Sequence, residues 1–394
     1  MIYYIVVFSI LILGLLNPAG GNKVDFLLGF FLFIFAICYI FLPKIENFRQ
    51  YGVWIVIAIF LLSSFATSWE LRTMLSRDLP LFTYNNDEMA YLKVVKLMKR
   101  NIEYYDASRI AFMGKFGSHV VAGDVWGWRL PTIFEIWRFI PGSGIGIYLL
   151  YLTLACGMLY SAFFIGKRYL GENMAILPAY LLFPYLHFAA RDQILLLTEW
   201  WAMPFVIFAL LFFVKKRNFL AILALSLAVL IREVYIVPIF LIFAFYASRF
   251  NKKAIIFLIP LVSFLTIYLY HIVALSSYID SWHMIFSTRT VSSGTSFLNE
   301  TLAFGSWEYV FYKYRVFLIF LVLAVLALFY IYRRISREEA IIWLISALSL
   351  PVLFVKFGVG PYHDYWGIMY MPIVLILAPI ATGNFIQKSK IQKP

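Results

Sequence analysis

Long apolar runs separated by short polar stretches dominate this chain of 394 residues. Most runs approach the roughly 20 residues that an α-helix needs to cross the hydrocarbon core of a bilayer. The pattern predicts an all-α integral membrane protein, a polytopic bundle of about 12 transmembrane helices. The runs lie at residues 2–16, 24–42, 51–67, 145–166, 173–190, 198–214, 219–231, 234–247, 254–276, 316–332, 339–356 and 366–382. No basic residue precedes the first run and no small-residue cleavage site follows it, so we interpret it as a retained helix.

Two neighbouring runs, 219–231 and 234–247, are separated only by Arg232 and Glu233. One continuous helix would carry the following basic stretch "SRFNKK" to the outer side, so we predict two short arms instead. Such arms reach only about 20 Å, less than the ~30 Å of hydrocarbon, which places their junction below the outer surface. Charges at that depth mark a functional site by default, or they pair only with each other; both interpretations stay open.

Composition supports a membrane protein, because 63% of the residues are hydrophobic and only 13% are charged. In soluble globular domains about 45–50% of the residues are apolar and about 25% are charged. The two cysteines, Cys38 and Cys156, fall inside apolar runs and offer no disulfide framework.

Lysine and arginine collect in alternate loops, which sets an orientation by the positive-inside rule. Placing both termini in the cytoplasm puts residues 44–49, 167–168, 215–217, 249–253, 333–337 and 388–393 on the cytoplasmic side. We therefore predict a single multi-pass domain over residues 1–394 in the cell membrane, with a long outer loop at 68–144 and a second at 277–315. The net charge of +13 then reflects topology and contact with membrane lipids, and it does not indicate nucleic acid.

Polar residues outside the predicted cytoplasmic side gather on one face, so we expect the active side to be extracytoplasmic. They include Asp87, Glu88, Arg191, Asp192, Glu199, Arg232, Glu233 and the "PYHDYW" of residues 361–366. The aromatic residues of the last stretch are typical either of a sugar pocket or of anchors at the membrane interface.

The stretch "NNDEMAYLKVVKLMKR" predicts an amphipathic helix in the outer interface, with Asp87 and Glu88 at its start. Apolar residues recur at helical spacing, and Lys93, Lys96 and Lys99 line the other face. Acidic residues at a helix start are explained by capping and the helix dipole alone. The same geometry also suits a general base that acts on a sugar or lipid hydroxyl.

Three motifs give the chain a family resemblance over residues 50 to 240: "YNNDEMAY", "GWRLPTIF" and "HFAARDQILLLTEWW". With the many apolar helices, they resemble the GT-C glycosyltransferases, in the branch of the protein O-mannosyltransferases and lipid A aminoarabinose transferases. The sequence departs from that pattern: Asp192 directly follows Arg191, so either Asp192 or Glu199 fills the place of the later acid. A His-Pro element and a large carboxy-terminal soluble domain are absent from the sequence given.

The resemblance implies an inverting transfer of a sugar from a polyprenyl-phosphate (dolichyl-phosphate) donor to a hydroxyl of an acceptor lipid, glycan or protein. Asp87 would be the base and Glu88 would position substrate. Arginine suits the donor phosphate because it offers paired donors and keeps its charge when buried. The predicted phosphate ligands are Arg232, Arg191 and Arg129. The predicted substrate-binding residues are Asp192, Glu199, Glu233, Tyr362, His363, Asp364 and Tyr365.

Three further expectations concern the second outer loop, the cofactors and the alternatives to an enzyme. The Ser/Thr/Gly-rich loop at 277–315 has no strong period and is interpreted as a flap over the site. No cofactor is required; a divalent metal is left open, with Asp87 as its ligand if one binds. The alternatives to an enzyme are a transporter or flippase of lipid-linked saccharides, which needs a polar path to the cytoplasmic half, and a non-catalytic assembly partner, which would tolerate Asp87→Asn.

Overall fold

The structure, a computed structural model, describes residues 23–41, 46–77, 87–112, 125–142, 144–279, 294–303, 317–357 and 364–383. These ranges are almost entirely helical and contain no strand. The α-helices are α1 (Lys23–Phe41), α2 (Glu46–Thr67), α3 (Trp69–Ser76), α4 (Asp87–Met98), α5 (Tyr104–Phe112), α6 (Thr132–Phe139), α7 (Ile145–Leu170), α8 (Ile176–Arg191), α9 (Glu199–Val214), α10 (Asn218–Ile231), α11 (Ile236–Ala247), α12 (Lys253–Leu275), α13 (Thr295–Ala303), α14 (Phe317–Arg334), α15 (Arg337–Phe357) and α16 (Met371–Leu377).

The predicted all-helical class is confirmed, whereas the predicted number of spans is not. Every apolar run from 24–42 onward coincides with a helix or a pair of helices, and the run at 2–16 lies outside the described residues. Within the described ranges, four helical stretches are long and apolar enough to cross a membrane: Ile145–Leu170, Glu172–Arg191, Lys253–Leu275 and Arg337–Lys356. A fifth is the pair Tyr51–Thr67 and Trp69–Ser76, bent by 65°. Several other apolar helices have only 10–17 residues.

The last apolar run, predicted as one span, folds differently. It forms a 3₁₀ helix at Asp364–Met369, then α16, then a second 3₁₀ helix at Ala378–Thr382. Residues 367–383 are all buried. A segment that is apolar on every side packs at the centre of a bundle, because it has no polar face to expose. Residues 364–383 and α8 therefore form the core of the bundle rather than its rim.

The basic turns lie together at one end of the bundle. They connect α7 to α8, α9 to α10, α11 to α12 and α14 to α15, the turns that the charge pattern placed on one side. The contacts that join them are Arg168 Nη2 to Glu339 Oε1 (3.6 Å), Lys253 Nζ to Glu338 Oε1 (2.5 Å) and Lys215 Nζ to the ring centre of Phe164 (4.5 Å). We call this the basic end.

Helices α9 and α10 form a hairpin that runs from the basic end to the opposite end. The α9 helix has 16 residues, so the hairpin extends about 24 Å. At the far end Arg232 has extended backbone angles (φ −138°, ψ 105°) and separates α10 from the 3₁₀ turn Glu233–Tyr235 and from α11. The predicted two arms are confirmed, with the break at Arg232.

Helix α4 begins at Asp87 as predicted, but it is not an amphipathic helix exposed on one face. It is enclosed by α5, α6 and the 3₁₀ turn Gln193–Leu196, and Lys93, predicted on the polar face, is only 7% exposed. The other lysines bind backbone carbonyls at helix ends. Lys99 Nζ donates to Ile140 O (2.7 Å) and Gly142 O (2.5 Å), and Lys96 Nζ donates to Arg77 O. These lysines satisfy the free carbonyls after α6 and α3.

The second outer loop contains a packed helix where the sequence indicated a flap. Helix α13 lies on the 3₁₀ turn Asp364–Met369, and the hydroxyls of Thr301 and Tyr370 are 2.8 Å apart. The ring of Phe297 is buried against Trp366 and Phe354. This part of the loop is therefore packed against the protein, and a flap over the site stays a prediction. Residues 280–293 and 304–316 lie outside the described residues.

A buried charge cluster as candidate functional site

A cluster of buried charges lies at the end of the bundle opposite the basic end. Arg232, only 1% exposed, stands between two carboxylates. Its Nε is 2.8 Å from Glu199 Oε1, and its Nη1 donates to Glu233 Oε1 at 2.5 Å. The first contact is electrostatic, since the N–H of Nε is not aligned for a hydrogen bond. The predicted pairing of Arg232 with Glu233 is thus observed, and Glu199 joins it from the start of α9.

A second arginine, Arg129, completes the cluster from the segment before α6. Its Nε donates to the hydroxyl of Tyr91 on α4 at 3.0 Å, and its carbonyl oxygen accepts a hydrogen bond from Tyr104 on α5 at 2.5 Å. Side chain and backbone of Arg129 are therefore held by two different helices. Arg129 is also within electrostatic range of Glu233 and Glu199. The four charged groups sum to zero: two guanidinium groups and two carboxylates.

The protonation states of Arg129 and Tyr91 follow from their surroundings. Burial lowers the pKa of Arg129, but interactions with Tyr91 and the other oxygen-bearing side chains of the cluster outweigh burial and raise it well above its usual value. Burial also raises the pKa of Tyr91, so its phenol stays neutral. Arg129 is a fixed cation, and the Tyr91 hydroxyl is its neutral hydrogen-bond acceptor.

Helix α4 connects this arginine to the acidic pair. Tyr91 follows Asp87 by one helical turn, and residues four apart lie on the same face of a helix. Asp87 and Glu88 are partly exposed at the amino-terminal end of α4, whereas Tyr91 is buried. The predicted base, Asp87, is therefore partly exposed and lies one helical turn before Tyr91, the residue that holds Arg129.

A small cavity adjoins Arg129. Its volume is about 30 Å³, which admits about two water molecules. The polar part of its wall is formed by Tyr91, Tyr104, Ser108 and Arg129, and the apolar part by Phe112, Trp128 and Phe134. A cation beside a cavity with aromatic walls can bind a small anionic group.

Behind this cavity lies a hydrogen-bonded pair of rings. The Tyr105 hydroxyl and His271 Nδ1 are 3.0 Å apart, and His271 is 1% exposed on α12. Tyr105 also stacks on Tyr278, with ring centres 6.0 Å apart. The contact between Tyr105 and His271 attaches α5 to α12, a helix that is long and apolar enough to cross a membrane. Helix α5 is therefore part of the bundle.

The remaining predicted site residues divide into four groups. Tyr365 lies within electrostatic range of Arg129 and Arg232, near the turn at which the Tyr235 hydroxyl donates to Met369 O at 3.0 Å. Arg191 and Asp192 lie at the carboxy-terminal end of α8, where the guanidinium of Arg191 is 5.8 Å from the ring centre of Phe188 and Asp192 is exposed. Residues 362 and 363, the predicted Tyr362 and His363, lie outside the described residues. Asp364 opens a 3₁₀ helix.

The neighbouring Trp366 is partly buried, and the choice between a sugar pocket and an interface anchor stays a prediction. Its ring packs on Phe354 (4.9 Å between centres) and on Phe297 (5.8 Å). The turn that carries Tyr365 and Trp366 is thus directed inward, with Tyr365 toward the charge cluster and Trp366 toward α13 and α15.

Within the part of the chain that the structure describes, no group of three or more His, Cys, Asp or Glu side chains could hold a metal ion. A single carboxylate ligand at Asp87 stays a prediction.

Comparison of the chain with protein-family models, curated proteins and solved structures gives no match. The functional interpretation therefore rests on the residues of the cluster and on the motifs of the sequence.

Sequence reasoning missed Tyr91, Tyr104 and His271. The position of Tyr91, one turn after Asp87 on a predicted helix, was a signal that could have revealed it. Tyr104 and His271 gave no comparable signal, because tyrosines are common in this chain and His271 lies within an apolar run.

Proposed function

We propose that this chain is a membrane glycosyltransferase that moves a sugar from a polyprenyl-phosphate donor to an acceptor hydroxyl on the extracytoplasmic face. One observation carries the proposal: Arg129, a partly exposed fixed cation, lines a cavity and is held by Tyr91, one helical turn from Asp87. The arrangement puts a carboxylate and the tyrosine that holds a phosphate ligand one turn apart on the same face of α4. The resemblance of the three motifs to GT-C enzymes supports the same activity.

In this proposal the donor phosphate binds to Arg129. The guanidinium neutralises the phosphate and stabilises the charge that grows on it as the bond to the sugar breaks. Arg232 has a different role from the one predicted, because two carboxylates already occupy it. It holds Glu199 and Glu233 in place and fixes the break between α10 and α11.

Asp87 accepts the proton of the acceptor hydroxyl as that oxygen attacks the anomeric carbon. The carbon–oxygen bond to the phosphate breaks on the opposite side, so the configuration inverts. The donor phosphodiester carries one negative charge and leaves as a phosphomonoester with two, and the proton on Asp87 balances the second. Glu88, next to the base, positions the acceptor or the sugar.

The side of the membrane follows from the two ends of the bundle. The charge cluster lies at the end opposite the basic turns, and short loops rich in lysine and arginine stay in the cytoplasm. We therefore assign the cluster to the extracytoplasmic leaflet, where a lipid-linked donor would present its phosphate at the depth of Arg129.

The test is sugar transfer in reconstituted liposomes, from a panel of radiolabelled polyprenyl-phosphate monosaccharides to membrane acceptors. Asp87→Asn removes the base and should reduce transfer by about 10²–10⁴-fold, the usual contribution of a general base. The matched control is Asp106→Asn, an acid on α5 that is about half exposed and pairs with Arg109. It should transfer at the wild-type rate.

Two results would overturn the proposal in different ways. Equal rates for Asp87→Asn and wild type would remove Asp87 from the mechanism. No transfer from any donor by folded wild type would reject the enzyme and favour a transporter of lipid-linked saccharides, the alternative that uses the same ligand.

A further inference from the structure

The two glutamates of the charge cluster are not equivalent. Both oxygens of Glu199 have partners: Oε1 lies 2.8 Å from Arg232 Nε, and Oε2 accepts a hydrogen bond from the Thr198 hydroxyl at 3.3 Å. Glu233 uses Oε1 for Arg232, while its Oε2 is buried and has no hydrogen-bond partner among the described residues. Glu233 thus has an oxygen on which a proton can reside.

An unpaired carboxylate oxygen is costly to bury, because water no longer solvates it and nothing replaces that water. Glu233 is 8% exposed, so solvent does not relieve the cost. The negative charge of the Glu233 carboxylate is balanced first by Arg232, which holds Oε1, and then by Arg129, which is within electrostatic range. A ligand that neutralises Arg129 therefore removes one of the two guanidinium charges that favour the ionised state of Glu233.

The groups that face Glu233 come from four parts of the chain. Arg232 belongs to the same break between helices, Arg129 to the segment before α6, Tyr104 to α5, and His271 and Tyr268 to α12. The arginines are permanent cations and the tyrosines are neutral near pH 7. His271 shares its Nδ1 with the Tyr105 hydroxyl, which fixes the ring in the buried pair. Each glutamate of the cluster has one buried oxygen without a hydrogen bond among the described residues, but that of Glu199 faces Arg232 Nε at 2.8 Å, whereas Glu233 meets Arg232 through its other oxygen.

Binding of an anion changes the charge balance. Without ligand, Arg129, Arg232, Glu199 and Glu233 sum to zero. A bound phosphodiester at Arg129 brings the sum to minus one inside a bundle of apolar helices, where an excess charge is strongly unfavourable. The group that can remove this charge is the one able to take a proton.

We propose that Glu233 takes up a proton when an anionic ligand binds beside Arg129, so that ligand binding and protonation of Glu233 are coupled. This inference rests on the proposed donor site and adds that the donor binds to the form of the cluster in which Glu233 is protonated. The proton comes from solvent and is released when the lipid phosphate departs. Glu233 is a positioning residue of the phosphate site and takes no part in bond breaking.

The experiment is isothermal titration calorimetry of the wild-type protein in detergent with a short-chain polyprenyl phosphohexose. This probe is a phosphodiester and lacks the second ionisation near pH ~6 of a phosphomonoester, so it carries a constant charge. Titration in two buffers with different heats of ionisation gives the number of protons bound with the ligand. We expect about one proton per ligand, and an affinity that falls about tenfold per pH unit at the alkaline end.

The variant Glu233→Gln keeps the size of the side chain and removes its charge. It should bind the probe without proton uptake and with an affinity independent of pH. Asp106→Asn, an exposed acid elsewhere in the outer segment, should keep the proton uptake of wild type. If Glu233→Gln does not fold, the wild-type titration decides alone.

Each contrary result has a distinct meaning. Binding to wild type without proton exchange would overturn the coupling and leave the donor site intact. Proton uptake that persists in Glu233→Gln would overturn the assignment to Glu233. Absence of binding to folded wild type would reject the donor site itself, and with it this inference.

Discussion

The Nε atom of Arg232 lies 2.8 Å from Oε1 of Glu199, and both side chains are 1% exposed. The two residues flank a helical hairpin, so the ion pair closes the hairpin at the end where no turn connects the two helices. Glu233 is bound to the same guanidinium. One arginine thus pairs with two buried carboxylates that come from different helical elements, and it determines how α9, α10 and α11 meet.

Replacing Arg232 by methionine should destabilise the fold strongly. The change leaves Glu199 and Glu233 buried beside each other without their cation, and removing one partner of a buried ion pair costs about 3–5 kcal/mol. Unfolding in mixed micelles, followed by circular dichroism, would measure this. The control Arg217→Met, at an exposed turn of the basic end, should change the free energy of unfolding by less than about 0.5 kcal/mol. Similar values for the two variants would contradict a structural role for the ion pair.

Replacing Tyr91 by phenylalanine should reduce sugar transfer by a protein that still folds. The variant removes the acceptor for Arg129 Nε, and a hydrogen bond to a charged group contributes about 1.5–3 kcal/mol, or about 10–100-fold in rate. Transfer assays in liposomes would measure the loss. The matched control is Tyr39→Phe, which removes the hydroxyl that donates to Glu172 O near the basic end. Full activity of both variants would mean that the orientation of Arg129 does not matter for transfer.

Replacing Gly367 by alanine should separate α13 from the core. The added methyl group would overlap the backbone carbonyl of Thr301, an atom that cannot rotate away. Overpacking of this kind costs about 1–3 kcal/mol, and here backbone must move. The thermal midpoint in detergent should fall, whereas Thr295→Ala, on the exposed side of α13, should leave it unchanged. An unchanged midpoint for Gly367→Ala would show that α13 does not pack as described.

Replacing Lys93 by methionine should stabilise the protein near neutral pH, by an amount that shrinks as the pH rises. Burial lowers the pKa of Lys93 in the folded state, so the folded state binds fewer protons than the unfolded state in the window just below the usual lysine pKa of about 10.4. The stability of wild type therefore rises relative to the variant through that window. The measurement is the free energy of unfolding of wild type and of Lys93→Met from pH 7 to 10. The titration of tyrosines contributes equally to both proteins and cancels in the difference.

The control for this series is Lys252→Met, at an exposed position near the basic end. It should show no pH-dependent difference from wild type. A difference between Lys93→Met and wild type that grows with pH would contradict the buried state of Lys93.

Local signals in the sequence predicted much of the fold. The break at Arg232 followed from two adjacent apolar arms that are each too short to span a bilayer. The start of α4 at Asp87 followed from acidic residues before a helical apolar spacing. The common location of the basic turns followed from their alternation along the chain. Each of these features depends on residues within one or two helices.

The features that the sequence did not predict depend on contacts between distant parts of the chain. Lys93 is buried because Gln193–Leu196 and α6 cover the side of α4 that its own pattern marked as polar. Helix α13 packs inward because Gly367 permits its backbone to approach closely. The meeting of Arg129 with Tyr91, and of Glu199 with Arg232, depends on tertiary geometry that periodicity does not contain.

The closed hairpin of α9 and α10 has a consequence for how the chain enters the membrane. Glu199 begins α9, and its cation follows the end of α10, so a nascent chain that has inserted only α9 holds an unneutralised carboxylate at one edge of the apolar layer. The charge is compensated when the second arm arrives. Insertion of the hairpin as a pair is therefore favoured over insertion of either helix alone, and the order of synthesis, acid first and arginine last, makes completion of the hairpin the step that commits it to the bilayer.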